Sequence, residues 1–430
     1  MKPTRKAHFF VLFALVLAAG FAGVPAAHAQ TYAITGGKVY PISGPPIEGA
    51  TVVIEKGKIT VVGKGVKIPA GAKVIDAKGL EVYPGMFNAI TELGLNEIGA
   101  VDASVDTTEL GEYNPQLVSA TAVNPASAHI PVTRAEGITH AIAAMGAGGG
   151  RGGGGSVIPG QASLFNLAGW TMDEMQIRRS AAMTVNWPVL PGGGAAAGAN
   201  ARQEYDRRVA ELAEWLDRAR HYAQAKQANA NFERDLKLEA LVPVIKGEMP
   251  LFIMANQANQ IREAVAFCDK QKVKMILATG TAAGEVKDLL KEKNVPVVLR
   301  PTLTLVRSED DPYDLSLTLA GELSKAGVKI AFGSFGNEFA RRLSQQAGNS
   351  VAFGLSHDEA MKALTIYPAQ MFGVDKELGT IEVGKMANLI VTNGDPLELT
   401  TEVRYLFIRG VQTSTDNRHR QLYEEYRKRP

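Results

Sequence analysis

The sequence predicts an α/β protein in which a long run of alternating strands and helices is bracketed by two strand-rich ends. Three observations carry that expectation. From Pro250 onward strand and helix signals alternate cleanly, both chain ends hold short β-branched runs punctuated by glycine turns, and 46% of the 430 residues are hydrophobic, enough for a large core.

The N-terminus comes first in the chain. Lys2, Arg5 and Lys6 precede an apolar run from Phe9 to Val24, and Ala27-His28-Ala29 ends it with small residues around His28. This is the pattern of a secretory signal peptide over residues 1–29, cleaved near Ala29, and the expected location is periplasmic or secreted. No later stretch reaches the roughly 18 apolar residues that a spanning helix needs. Losing three cations and no acid takes the formal charge from +2 to −1, which gives no electrostatic case for a nucleic-acid or anionic-membrane partner. Cys268 is the sole cysteine, so no intrachain disulfide can form, and its setting AVAFCDK fits the buried face of a helix.

Next come short strands at Tyr32 to Val39, Ala50 to Glu55, Lys58 to Val62 and Lys73 to Asp76, with turns at Gly36-Gly37, Ser43 to Pro46 and Lys56-Gly57. The far end repeats this character at Leu378 to Ile381, Ala387 to Thr392 and Val403 to Arg409. The two ends are expected to meet as one composite sheet domain, residues 31–81 with 377–413, leaving a tail at 414–430.

Between them, Glu81 to Gly94 (EVYPGMFNAITELG) reads as a strand whose C-terminal end opens onto a site, and Gly137 to Ala144 as another strand. The glycine-rich GAGGGRGGGGSVIPGQ that follows matches neither a P-loop nor a dinucleotide fingerprint. It reads as a loop at the barrel mouth whose Arg151 is placed to meet an anionic ligand group. Pro191 to Gly198 is a low-complexity linker. Asn200 to Lys246 is a charged helical stretch with a narrow apolar stripe at Val209, Leu212, Leu216 and Ala219. Strands are then expected at Pro250–Asn256, Lys274–Thr281, Pro296–Arg300 and Val328–Phe335. Helices fall between and after them, the last at Ser356–Ile366, which argues for parallel βα units.

Three motifs carry a resemblance. VYPGMFNAITE is similar to the first barrel strand of the amidohydrolase superfamily, V-x-P-G-hydrophobic-hydrophobic-D-x-H-x-H. LGTIEVGKMANLIVTNGDP resembles the same superfamily's closing motif, with Asn388 at the usual aspartate, and SHDEAMKALTIYPAQMFGV resembles the run before it. The resemblance covers about Tyr32 to Thr413 and is nearest to secreted, imidazolonepropionase-like amidohydrolases of bacteria. It implies a (β/α)8 TIM-type barrel over residues 82–376 beside a small composite β-sandwich. By descent it implies hydrolysis of C–N bonds in cyclic amides or amidines by metal-activated water.

The ligand positions depart from that pattern. The aspartate and two histidines of the first strand are Asn88, Ile90 and Glu92; Met254 stands at the fifth-strand histidine with Asn256 two places on. Thr279 replaces the sixth-strand histidine and Phe335 the last-strand aspartate. A catalytic zinc needs three protein ligands from His, Cys or carboxylate, and only Glu92 among these qualifies. His129, His140, His221, His357 and His419 lack ligand spacing, and His140 is expected at the barrel bottom. The acids Glu97, Asp102, Asp106, Glu109 and Glu112 lack the regular spacing of a cation loop. Relatives use zinc or another divalent metal; here no cofactor is expected. Three readings stand. One is a metal-free binder of a small ligand, or a companion that hetero-oligomerises with an active relative. Another is a hydrolase rebuilt around Glu92 and its acidic neighbours, and the third is a structural subunit of a periplasmic assembly.

Overall fold

The computed structural model describes residues 30–147, 156–189, 199–305 and 309–429. The signal segment, Arg151 and the linker 191–198 lie outside the described residues.

Five strands open the described chain: β1 (Tyr32–Val39), β2 (Ile47–Glu55), β3 (Lys58–Gly63), β4 (Lys73–Asp76) and β5 (Glu81–Pro84). Eight more follow: β6 (Met86–Thr91), β7 (Ile138–Ala143), β8 (Gly160–Asn166), β9 (Gln176–Asn186), β10 (Leu251–Met254), β11 (Met275–Thr279), β12 (Val297–Leu299) and β13 (Ile330–Phe332). The last three are β14 (Leu389–Thr392), β15 (Val403–Ile408) and β16 (Val411–Thr413). Their helices are α1 (His129–Ala135), α2 (Met172–Met175), α3 (Ala199–Ala228), α4 (Leu236–Ile245), α5 (Ala258–Gln271) and α6 (Lys287–Glu292). Then come α7 (Leu315–Lys325), α8 (Leu343–Ala352), α9 (His357–Ala363), α10 (Ile366–Met371) and α11 (Arg418–Tyr426).

Strands from the two ends share one sheet, in the order β16-β15-β14-β5-β1-β2-β3, with β4 also beside β1. Where a composite β-sandwich was expected, the strands form a single connected ladder of eight. Its join is the antiparallel pair β14·β5, where Leu389 faces Pro84 and Val391 faces Val82. Ile34, Val52, Ile54, Val82, Leu389 and Phe407 form its buried core, with Tyr32 edge-on to Phe407 at 5.1 Å. Burying such side chains stabilises by roughly 1.5–3 kcal/mol each. That gain holds together strands more than three hundred positions apart.

The stretch Glu81–Gly94, expected as one strand, is two. Gly85 breaks it: a Cβ there would lie 2.2 Å from Thr139 Oγ1, so β7 approaches the backbone as only glycine allows. β5 stays in the end sheet, and β6 starts a second sheet.

That second sheet runs β13-β12-β11-β10-β9-β8-β7-β6. Hydrogen bonds bring its two ends together: Phe335 N–H donates to Ile90 O at 3.0 Å, and Ser334 N–H to Asn88 Oδ1 at 3.1 Å. The result is a nearly closed eight-stranded barrel. It departs from a (β/α)8 repeat at one strand, because β8 runs antiparallel to both β7 and β9. The cause is connection length. Residues 167–175 hold only the single turn α2, whereas a parallel crossover needs a dozen or more residues. The chain therefore turns back as a hairpin.

Inside the barrel, Phe87, Ile142, Leu164, Phe252, Ile276 and Val298 alternate with alanines in a continuous apolar core. Outside it, Leu212, Leu216 and Ala219 of α3 are buried, as the stripe predicted. Cys268 on α5 is buried too, and burial pushes its thiol up to about 12, far from a nucleophile's range. Among the described residues no helix is long and apolar enough to cross a membrane.

Candidate ligand site at the barrel mouth

The C-terminal ends of the parallel strands, where barrel sites form, bring six of the seven predicted positions to one end of the barrel. They do not assemble a metal centre. Asn88 is fully buried and acts as a clamp: its Nδ2 donates to Ser334 Oγ at 2.8 Å while its Oδ1 accepts from Ser334 N. Ser334 Oγ in turn lies 3.0 Å from Thr91 Oγ1 and 2.7 Å from Gly336 O. This network joins β6 to the segment after β13, leaving Asn88 committed to closing the barrel.

Ile90 points into the barrel. A Cβ added to Gly333 would meet Ile90 Cγ2 at 2.4 Å, so the isoleucine occupies space on the axis that Gly333 leaves empty. Phe335 closes over it. The phenyl ring is 2% exposed, and its backbone φ is +59°, a left-handed conformation that costs a non-glycine residue about 1–3 kcal/mol unless its surroundings enforce it. Here the hydrogen bond to Ile90 O and the burial of the ring enforce it. Met254, at the end of β10, is buried beside them in the same apolar cluster.

Glu92 is buried at the edge of this plug, where its Oε2 accepts from Asn96 Nδ2 at 3.4 Å. Asn337 Nδ2 donates to Asn96 O at 2.5 Å and ties that loop to the one after β13. Asn256, by contrast, is exposed where the chain enters α5, away from the position expected of it. Its backbone N–H donates to Gln260 Oε1 at the helix start. Thr279 ends β11 fully buried, and its Oγ1 has no partner among the described residues.

The residue sequence reasoning missed is Arg300, directly after β12. Its guanidinium carbon stands 4.2 Å from the Phe335 ring centroid, a cation–π contact. Its backbone N–H donates to Thr279 O, which draws the loops after β11 and β12 together. Burial lowers its pKa from the usual arginine value, though not enough to neutralise it at ordinary pH. Among the described residues the guanidinium has no hydrogen-bonded or ionic partner. The hydroxyls of Thr281 and Thr302, on the same two loops, are also buried without partners. A cationic residue placed at the C-terminal end of a barrel strand was the available signal.

The acids after Glu92 disperse. Asp102, Asp106 and Glu109 are exposed, and Glu112 turns away to pair with Arg208 at 3.0 Å. Among the described residues no three His, Cys, Asp or Glu side chains group closely enough to hold a metal ion. His129 contacts Glu97 O, His357 bonds Asp395, and His140 lies under the barrel beside the closing motif. The donor set at the mouth is one carboxylate, a thioether and a hydroxyl, which does not suit zinc or a comparable divalent metal.

Residues 260–414 match the Amidohydrolase family. An amidohydrolase from Thermotoga maritima MSB8 superposes with a TM-score of 0.77 at 24% identity, covering 89% of this chain and 99% of that one. A prolidase complexed with N-methylphosphonate-L-proline superposes at 0.55 with 18% identity, covering 90% of this chain and all of that one. A 5-methylthioadenosine/S-adenosylhomocysteine deaminase of Thermodesulfovibrio yellowstonii is 22% identical over 236 residues. That alignment takes in 47% of this chain and 54% of the deaminase, so the chain spans about half the length of the curated relative it matches.

Proposed function

We propose that this chain is a secreted, imidazolonepropionase-like member of the superfamily that binds a small carboxylate-bearing ligand at its barrel mouth and performs no metal-dependent hydrolysis. The observation that carries this reading is the apolar plug of Ile90 and Phe335, seated where relatives keep a histidine and the proton-transferring aspartate. One remaining carboxylate, Glu92, cannot replace the missing ligands, which supply most of the binding free energy of a metal. Beside the plug, the half-buried Arg300 guanidinium, stacked on the Phe335 ring, offers donors to an anion. An arginine can meet a carboxylate through two parallel hydrogen bonds.

Two linked proposals belong to this reading. Residues 1–29 direct export and are removed, so intact-mass data on periplasmic protein begin after Ala29. The chain also associates with a catalytically active relative that keeps its histidines, and affinity purification from its native cell recovers that relative in stoichiometric amount.

The test is metal analysis of protein purified without chelator, together with a thermal-shift screen of small carboxylates. Less than a tenth of an equivalent of metal, and a shift by at least one carboxylate that Arg300→Met removes, are expected. Near one equivalent of zinc, iron or manganese, with activity lost on chelation, overturns the proposal in favour of a hydrolase rebuilt around Glu92. Histidines restored at positions 90 and 92 are expected to create no activity while Thr279 and Phe335 remain.

A further inference from the structure

A second cavity opens on the lower side of the barrel, opposite the mouth and beneath β9 to β13. Its volume is about 730 Å³, within the range of roughly 300–1,000 Å³ typical of small-molecule sites. It lies among the segments that enter β10 to β13, the first half of β9 and the C-terminal ends of α5 and α6. Arg178, Lys274, Lys291, Lys293 and Lys329 line it, against the two carboxylates of Glu248 and Asp269. A chain that is nearly neutral as a whole therefore gathers cations at one concave surface.

The backbone brings these cations together. Leu277 of β11 pairs with Val297 of β12, and Val297 with Ile330 of β13, so the entries to the three strands lie side by side. With about 4.8 Å between neighbouring strands, those entries span about 10 Å. Two of the cations are neutralised by carboxylates: Lys293 Nζ lies 2.7 Å from Asp269 Oδ2, and Arg178 pairs with Glu377. Lys291 stands in the last turn of α6, where a cation offsets the helix end, and it donates to Gly327 O at 3.2 Å. Lys274 and Lys329 directly precede β11 and β13, where no helix end calls for a cation. Lys329 donates to the neutral Gln370 Oε1 at 2.7 Å and lies 5.5 Å from the Tyr367 ring centroid, meeting no carboxylate. Lys274 has no hydrogen-bonded or ionic partner among the described residues.

We propose that this cavity binds a phosphate-bearing anion, held by Lys274 and Lys329 with Lys291 beside them. Three ammonium groups that share a cavity and meet no carboxylate repel one another, and a ligand with two or more negative charges turns that repulsion into attraction. Lysine is a compact point charge on a flexible stem, suited to the spread oxygens of a phosphate, whereas the planar arginine fork matches a carboxylate. The site lies at the opposite end of the strands from the barrel mouth and shares no residue with it, so the two ligands bind independently. A phosphate group is carried by soluble molecules and by lipid headgroups alike, and the chemistry of the cavity suits either.

The test titrates pyrophosphate into the purified protein by calorimetry at about 0.01 M ionic strength, where the Debye length is about 30 Å, and again at about 0.15 M, where it is about 8 Å. Saturable binding is expected, weaker at the higher salt, and roughly tenfold or more tighter than that of singly charged acetate. The double variant Lys274→Gln/Lys329→Gln should weaken pyrophosphate roughly tenfold or more. Both side chains are exposed, so the fold should be kept. Lys64→Gln/Lys67→Gln removes the same charge from exposed positions between β3 and β4 and should leave the affinity within about twofold. A parallel arm follows sedimentation with vesicles of phosphatidylglycerol or phosphatidylcholine. Retention on phosphatidylglycerol alone, lost in the Lys274→Gln/Lys329→Gln variant, identifies a lipid headgroup as the source; pyrophosphate binding without retention identifies a soluble one. Three results would overturn the proposal: no saturable pyrophosphate binding at the lower salt, an unchanged affinity in the Lys274→Gln/Lys329→Gln variant, or an equal loss in both double variants.

Discussion

The barrel's two ends bond their polar groups to different extents. At the lower end, against the end sheet, Asn388 binds nearly everything around it. Its Nδ2 donates to Asn166 Oδ1 at 2.8 Å and lies 3.3 Å from His140 Nδ1, while its Oδ1 accepts from Arg409 N at 2.8 Å. Thr139 Oγ1 adds a 2.6 Å bond to the same imidazole nitrogen. Because Arg409 fixes the orientation of the amide, Nδ2 can only donate to the ring, so His140 Nδ1 accepts and the proton sits on Nε2. At the upper end, Thr279, Thr281 and Thr302 keep unpartnered hydroxyls and Arg300 rests on an aromatic face. The difference separates roles that burial alone would confuse. Polar groups bonded to one another hold two layers together; unpaired buried groups occur at both ends, His140 Nε2 at the lower and three threonine hydroxyls at the upper.

The comparison can be broken from either end. The largest effect expected is at the plug: Phe335→Ala should cost about 3–5 kcal/mol in urea unfolding, the range for emptying a buried aromatic site. Phe335→Gly should be less costly than alanine by up to about 1 kcal/mol, because glycine accepts the positive φ that alanine does not. A cost below about 1 kcal/mol would mean that the ring does not seal the barrel.

At the lower end, Asn388→Leu removes hydrogen bonds to Asn166, His140 and Arg409 and leaves their partners buried. A loss of about 2–4 kcal/mol is expected by the same measurement. A neutral result would place the join in the apolar contacts instead.

The same end should show in acid. Desolvation depresses the His140 pKa from 6.5 to about 3. Above pH 6.5 the ring is neutral in both folded and unfolded chains and contributes nothing to the slope. As pH falls from 6.5 toward 3, the unfolded chain binds a proton that the folded chain refuses, so stability drops by about 1.4 kcal/mol per pH unit. His140→Gln should flatten that slope by one proton when unfolding is followed between pH 7 and pH 4, and an unchanged slope would show the imidazole protonating in place.

The smallest effect separates a binder from a hydrolase. Glu92→Gln keeps the side-chain shape and the acceptor facing Asn96, so stability should move by less than about 1 kcal/mol. Carboxylate binding at Arg300 should persist. Loss of a bound metal or of turnover in this variant would restore Glu92 to a catalytic role.

Much of this was legible along the chain because it is written in local patterns. Strands β1 to β3 follow from glycine turns between β-branched runs, and α3 from the spacing of Leu212, Leu216 and Ala219. That positions 90 and 335 hold side chains unable to coordinate a metal is visible in residue identity alone, since isoleucine and phenylalanine coordinate nothing. Other features were not legible. The hairpin of β8 and β9 depends on a connection too short for a crossover, and nothing in SLFNLAG itself marks a reversed strand. Arg300 matters through its stacking on Phe335, which no neighbouring residue in the sequence records.

By itself, then, the sequence determined which segments are strands or helices over most of the chain and that both chain ends are rich in strands. Those properties depend on side-chain chemistry and short-range periodicity. Tertiary structure alone decided that Gly85 divides one apolar run between two sheets and that Asn88 closes the barrel. It also decided that Ile90 and Phe335 pack in one apolar cluster and that Arg300 stacks on the Phe335 ring. Each of these depends on which distant segment fills the space beside a residue, and that is settled only when the whole core packs at once.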